Sequence, residues 1–236
     1  MDKNTENTKP IKNRKRFAKI LNISIIVIAV IVLAIEGVLY YQRSYLTPFW
    51  VNGQSMYPAL NYHAKDAEGN ELNELSGNAG IGYTVDYGVM DTHKSAINKI
   101  KRFDIVVTKY STNDTKNKIK RVLGLPGETI EFKATGVGKD ENGDLYINGK
   151  FVEQPVSLDF IRSGNYPTGA LTLGSDEYYV CGDNRGHSSD SRVEGPVRKS
   201  YITGKVIALC GTCEVYYVDD HYDIKNIDYY WPRKVK

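Results

Sequence analysis

Between residues 20 and 41 the chain reads Ile-Leu-Asn-Ile-Ser-Ile-Ile-Val-Ile-Ala-Val-Ile-Val-Leu-Ala-Ile-Glu-Gly-Val-Leu-Tyr-Tyr, and no other feature limits its folding as strongly. As a helix rising about 1.5 Å per residue this run spans roughly 33 Å, enough to cross a hydrocarbon core of about 30 Å. There, a segment survives only by satisfying its own backbone hydrogen bonds. One transmembrane anchor at 20–41 is therefore predicted. Lys3, Lys9, Lys12, Arg14, Lys15, Arg16 and Lys19 precede it, opposed only by Asp2 and Glu6, whereas Arg43 is the sole cation between it and Lys65. That asymmetry puts a basic segment, 1–19, in the cytosol and the remainder outside, in a single-pass protein of the cell membrane. A cleaved signal peptide is the competing assignment, but the run is long for one and no small-x-small site ends it. Glu36 lies near the outer end, within reach of the headgroups, and Tyr40, Tyr41, Tyr45 and Trp50 suit the outer interface.

Beyond the anchor the chain is polar, since mean hydropathy over its whole length is −0.41. The 236 residues suffice for one or two domains, and a net charge of +3 makes no case for nucleic acid. Eighteen Tyr and 21 Gly lean toward strands and turns. Strands are predicted at Tyr83–Met90, Ile105–Thr108, Lys118–Leu123, Thr129–Phe132, Glu177–Cys181, Lys205–Leu209 and Glu214–Val218. Asn148-Gly149, between alternating apolar residues, signals a hairpin. Most of 61–98 is polar and rich in Gly and Asn, as an exposed loop would be. No long helical period appears after the anchor, so the expected fold is mainly β, with antiparallel sheets. A catalytic core over 42–132 and 177–218 is expected, with a small inserted β subdomain at 133–176 and a solvated tail at 219–236.

Two short segments carry candidate chemistry. Ser55 sits in Asn52-Gly53-Gln54-Ser55-Met56-Tyr57-Pro58, and Lys120 in Ile119-Lys120-Arg121-Val122-Leu123-Gly124-Leu125-Pro126-Gly127. Neither contains a His. A Ser-His-Asp triad needs one; a Ser-Lys dyad does not. A lysine accepts a proton only when neutral, and burial among apolar side chains lowers its pKa from about 10.4 by up to about 3–5 units. Strand alternation puts Lys120 and Val122 on one face and sends Arg121 to the other, toward a carboxylate. Taken singly, Ser55 also fits a turn and Lys120 a solvated surface, and their spacing proves no contact.

The pattern as a whole resembles bacterial type I signal peptidases. Gly53 to Pro58 is similar to their nucleophile box and Arg102-Phe103-Asp104-Ile105-Val106-Val107 to the next box. Lys120 to Glu128 resembles the lysine box, and Gly182-Asp183-Asn184-Arg185-Gly186-His187-Ser188-Ser189-Asp190-Ser191-Arg192 the last box. The four occur in the family's order behind one anchor, over about Asn52 to Leu209. The resemblance implies the sheet architecture of signal-peptidase and repressor-protease domains. It also implies a serine endopeptidase that removes signal peptides from exported preproteins, cutting after a small residue. Ser55 would be the nucleophile and Lys120 its base, with Ser188 bonded to the Lys120 amine. Asp183, Asp190 and Arg192 would hold the last box, Arg121 would hold its strand, and the Ser55 N–H would face the oxyanion. Gly53 stands where some members place a second, hydroxyl oxyanion donor, Ala59 where Thr is usual, and Phe103 where Gly is common. His187 is an exposed loop residue in this reading, because Lys120 fills the base position. Preproteins and the lipid bilayer are the implied partners, with no obligate protein partner, no nucleic acid, no cofactor and no metal.

Three cysteines leave alternatives open. Cys210 and Cys213 could close a small disulfide or stay free, with Cys181 unpaired. A sortase-like transpeptidase using Cys213, a self-cleaving repressor-type protease, and a non-catalytic surface or pilus-processing module are the rival readings.

Overall fold

The computed structural model describes residues 9–62, 83–134, 142–218 and 221–235. Most of the expected 61–98 loop, with His63, falls outside them, as do the first residues of the basic segment. The chain divides into two units, Met1–Leu46 and Thr47–Lys236. The first contains α1 (Lys9–Tyr45), which runs past the apolar stretch at both ends. Its segment Arg16–Tyr45 is long and apolar enough to cross a membrane. Its β-branched residues are poor helix formers in water, but a helix closes its own backbone hydrogen bonds without solvent.

The second unit is mainly antiparallel β. Its elements in order are β1 (Leu46–Trp50), β2 (Tyr83–Asp91), α2 (Lys94–Ile97), β3 (Ile105–Thr108), β4 (Lys118–Gly124), β5 (Thr129–Ala134), β6 (Asn142–Ile147), β7 (Lys150–Val152), α3 (Leu158–Arg162), β8 (Leu171–Thr172), β9 (Glu177–Cys181), α4 (Ser191–Glu194), β10 (Val197–Arg198), β11 (Ile202–Val218) and β12 (His221–Arg233). The larger sheet runs β1-β2-β11-β3-β4-β9-β10, with β12 also paired to β11; the smaller runs β7-β6-β5-β8.

β11 organises the larger sheet. Lys205 pairs with Asp91 of β2 and with Val106 of β3, so those two strands lie on opposite sides of it. Further along, Leu209 pairs with Gly88 of β2 and Arg233 of β12, so β12 succeeds β3 on the same side. Register shifts recur between Ile202 and Gly204, Val206 and Ala208, Leu209 and Gly211, and Thr212 and Glu214. Each bulge adds bend and twist, which lets one strand serve three partners and curls the sheet. The two strands predicted at 205–209 and 214–218 are thus one, joined through Cys210-Gly211-Thr212-Cys213.

The 219–236 tail departs from expectation. It is an ordered strand rather than a free end: β12 pairs with β11 over most of its length and Ile227 packs beside Val85, Cys213 and Val215, although most of its side chains face solvent. The smaller sheet opens at Thr129, so the boundary placed at 133 falls inside β5. Asn148 (φ 51°) and Gly149 (φ 76°) form the β6–β7 turn, both in the left-handed conformation that a two-residue hairpin demands. The inserted segment also carries a short helix, α3, and the two-residue strand β8.

Three buried clusters frame β4. Met56, Leu60, Ile105 and Val107 belong to one, Val106, Val122 and Val180 to a second, and Leu123, Ile130, Leu145 and Tyr179 to a third. Residues Lys120 to Gly124 are buried throughout, so polar side chains on this strand must find partners inside the protein.

Candidate active site

Ser55 and Lys120 meet. Lys120 Nζ donates to Ser55 Oγ across 2.7 Å, although 65 residues separate them in sequence. Lys120 is 4 % exposed and Ser55 half-buried at the surface of its loop. Burial lowers the lysine pKa from 10.5 to about 8; Asp190 pulls the other way and Lys118 adds to the fall. The amine is therefore poised to be neutral in a useful fraction near physiological pH.

Ser55 rides on an irregular loop closed by local bonds. Tyr57 N–H donates to Gln54 O (2.9 Å) and Leu60 N–H to Met56 O (2.9 Å), while Met56 and Leu60 plug the core at 0 % exposure. From the last box, Asn184 N–H donates to Ser55 O (3.1 Å). Gly182 makes this approach possible, because a Cβ there would overlap both Ser55 O and Ser188 Oγ. Gly53 has φ 96° and open space where a side chain would stand, so it offers no side-chain oxyanion donor.

Arg121, on the other face of β4, makes a two-pronged pair with Asp183: Nε to Oδ1 and Nη2 to Oδ2, both 2.7 Å. Each residue is 1 % exposed. The fork matches the carboxylate, so neither buried charge is left alone, and β4 is tied to the loop after β9. Arg121 Nη1 also donates to Phe103 O (3.0 Å). Phe103 itself has φ 70°, in the left-handed region that favours glycine. Its ring packs against the third cluster, which offsets the strain.

Asp190 and Arg192 lock the last box. Arg192 Nε donates to Asp190 Oδ1 (2.8 Å) and Nη2 to Oδ2 (2.9 Å), with further bonds to the carbonyls of Arg185, Ser188 and Asn165. Burial works against the ionised Asp190, but the Arg192 guanidinium, together with the Ser188 hydroxyl and the Gly182 N–H, holds the carboxyl below its ordinary pKa. Gly182 N–H also donates to Asp190 Oδ2 (2.9 Å). Ser188 differs from expectation. Its Oγ is shielded from solvent and favours the Asp190 carboxylate without forming a well-aligned hydrogen bond, and the anticipated bond to the Lys120 amine is absent. It lies beside Gly182 at the meeting point of the two loops, near the dyad but not engaged with it. His187 is exposed.

Several contributors carried no sequence signal of their own. Arg185, 2 % exposed, donates to Gly182 O (2.9 Å), Tyr166 Oη (2.9 Å) and Gln154 Oε1 (2.6 Å), joining the last box to the segment after β7. Glu194 accepts from Lys118 Nζ (3.2 Å) and Ser189 Oγ (2.8 Å). Asn61, directly after Leu60, binds the base of the nucleophile loop through its side chain. Cys181, Cys210 and Cys213 are all free. Cys213 is 0 % exposed, and burial pushes its thiol up to about 11, which removes the reactive thiolate that a sortase-like reaction needs.

The sequence matches the family described as signal peptidase, peptidase S26, over residues 20–210. The chain belongs to the signal peptidase family. Signal peptidase I V of Bacillus subtilis (strain 168) is 33 % identical over 187 residues, covering 75 % of this chain and 90 % of that protein. Signal peptidase IB of Staphylococcus aureus (strain N315) is 29 % identical over 197 residues, covering 77 % and 83 % respectively. A crystal structure of a signal peptidase I from Enterococcus faecalis V583 is 30 % identical, covers 46 % of this chain and 97 % of its own, and superposes with a TM-score of 0.36. The chain is a protease of the type I signal peptidase class, and its reaction is the removal of signal peptides. β12 lies beyond the matched residues.

Proposed function

We propose that Ser55 and Lys120 carry the peptidase reaction as a nucleophile–base dyad, and the observation supporting this most directly is their 2.7 Å contact at a buried amine. When the amine is neutral the contact reverses, with the Ser55 hydroxyl donating to the nitrogen lone pair. Ser55 Oγ then attacks the scissile carbonyl while Lys120 takes its proton. Lys120 returns that proton to the departing amine, leaving an acyl-serine. Water enters, gives a proton to Lys120, attacks the ester and restores Ser55. The Ser55 N–H faces the developing oxyanion. Asp190 and Arg192 hold the last-box loop, while Arg121 and Asp183 tie the strand that carries Lys120 to the start of that loop.

The substrate in this reading is a signal-peptide-bearing preprotein cut after a small residue, since a larger side chain would clash in a shallow subsite. α1 anchors the enzyme in the lipid bilayer, with the basic N-terminus in the cytosol and Thr47–Lys236 outside. The test is incubation of the detergent-solubilised full chain with a model preprotein, with products identified by mass spectrometry. Ser55→Ala and Lys120→Ala are each expected to abolish cleavage while circular dichroism stays unchanged. Turnover retained by either folded variant would overturn the dyad.

A further inference from the structure

We infer that Asn61 is a positioning residue for catalysis, a clamp that references the Ser55 loop to the sheet carrying Lys120. The inference rests on Ser55 being the nucleophile, as proposed above. Asn61 is 1 % exposed, unusual for an amide side chain, and its φ of 62° is left-handed. Its amide nitrogen donates to Val51 O (2.9 Å) and Gly53 O (3.2 Å). Its amide oxygen accepts from Asp86 N–H (2.8 Å), and its own N–H donates to Asp86 Oδ2 (2.6 Å). Val51 N–H closes the circuit on Asp86 O (3.1 Å). One buried amide therefore uses both donors and its acceptor to staple the two ends of the nucleophile loop to β2.

The placement matters because β2 and β4 belong to one sheet, with β11 and β3 between them. Lys120 is fixed by its strand. Ser55 is on a loop, and loops are the mobile part of a fold. The Nζ–Oγ distance thus depends on how firmly that loop is registered to the sheet. Gly53, two residues before Ser55, has no side chain to pack and φ 96°, so by itself it anchors nothing. Asn61 holds its carbonyl instead. Losing the amide removes three bonds at once, those to Val51 O, Gly53 O and the Asp86 N–H, and the loop must then move or admit water.

Asn61→Gly is the variant of choice, because glycine adopts φ 62° freely and only the side-chain bonds are lost. kcat for preprotein cleavage is expected to fall on the order of 100-fold with KM changed less than roughly threefold, as for an ångström-scale misplacement of a reacting group. Asp86→Asn, which still offers an acceptor to the Asn61 N–H, should keep most of kcat, whereas Asp86→Ala should lose it. Leu145→Ala, a core truncation in the smaller sheet, is the control for lost stability: assayed equally far below its own Tm, it should retain kcat. Ser55→Ala in parallel separates the two readings. If it cleaves, the nucleophile assignment falls. If it is inactive while Asn61→Gly keeps kcat within threefold of the parent, or loses no more than Leu145→Ala, the clamp falls alone.

Discussion

Replacing Lys120 by Met should abolish cleavage and make the protein more stable. Met keeps an unbranched stem without the ammonium. Burial lowers the Lys120 pKa from 10.5 to about 8. At about 1.4 kcal/mol per factor of ten, holding that amine protonated inside the fold costs roughly 3 kcal/mol at neutral pH. Against this, the variant forgoes the hydrogen bond to Ser55, worth about 1 kcal/mol. The balance of roughly 2 kcal/mol corresponds to about 4–8 °C in Tm for a chain of this length. The dependence on pH is the signature. Below about pH 8 the lysine is charged both folded and unfolded, and the penalty is complete. Between about 8 and 10.5 the folded amine is neutral while the unfolded one is still protonated, so the penalty fades; above 10.5 it is gone. The parent's stability therefore climbs toward that of the variant across this window. Guanidinium denaturation of the detergent-solubilised full chain, followed by tryptophan fluorescence from about pH 7 to about pH 10, measures it. A variant less stable than the parent at pH 7, or a difference that stays constant across the range, would refute burial as the source of the lowered pKa.

Activity should track the same group from the other side: kcat/KM is expected to rise about tenfold per pH unit up to about pH 8 and level off above it. A profile flat from about pH 6 to about pH 10, or one still rising steeply at 10, would exclude Lys120 as a base with this environment. Gly182→Ala introduces a Cβ into Ser55 O and Ser188 Oγ, and is expected to lower kcat on the order of 100-fold by pushing the two loops apart. Unchanged steady-state kinetics in that variant would show that the loops approach each other less closely than described.

Much of the fold could be read in advance because its signals are local. Alternating or continuous apolar runs marked β2, β3, β4, β5 and β9, and Asn148-Gly149 fixed a hairpin by its own backbone preference. The pairing of Ser55 with Lys120 came from whole boxes, since a separation of 65 residues carries no information about contact. The features that escaped were set by tertiary context. β12 interleaves charges with exposed aromatics such as Trp231 at 91 % exposure, so its alternation is weak, and only β11 makes it a strand. Asn61 is a single polar residue beside a tyrosine, indistinguishable in sequence from a solvated turn until Asp86 and Val51 surround it. Ser188 was assigned a bond by analogy of position, and the loop holds its hydroxyl elsewhere. Arg121 was expected to seek a carboxylate, but nothing in the spacing named Asp183.

The pairing of β12 along β11 also bears on how the protein behaves among its own copies. Beyond the end of β3, β11 would otherwise present a long row of unpaired N–H and C=O groups, a template on which another chain could add a strand. The final strand occupies that row within the same molecule. Beyond β3 the edge of the sheet thereby passes from β11 to β12, where Lys225, Asp228, Pro232 and Arg233 are residues of the kind that discourage a further strand from adding.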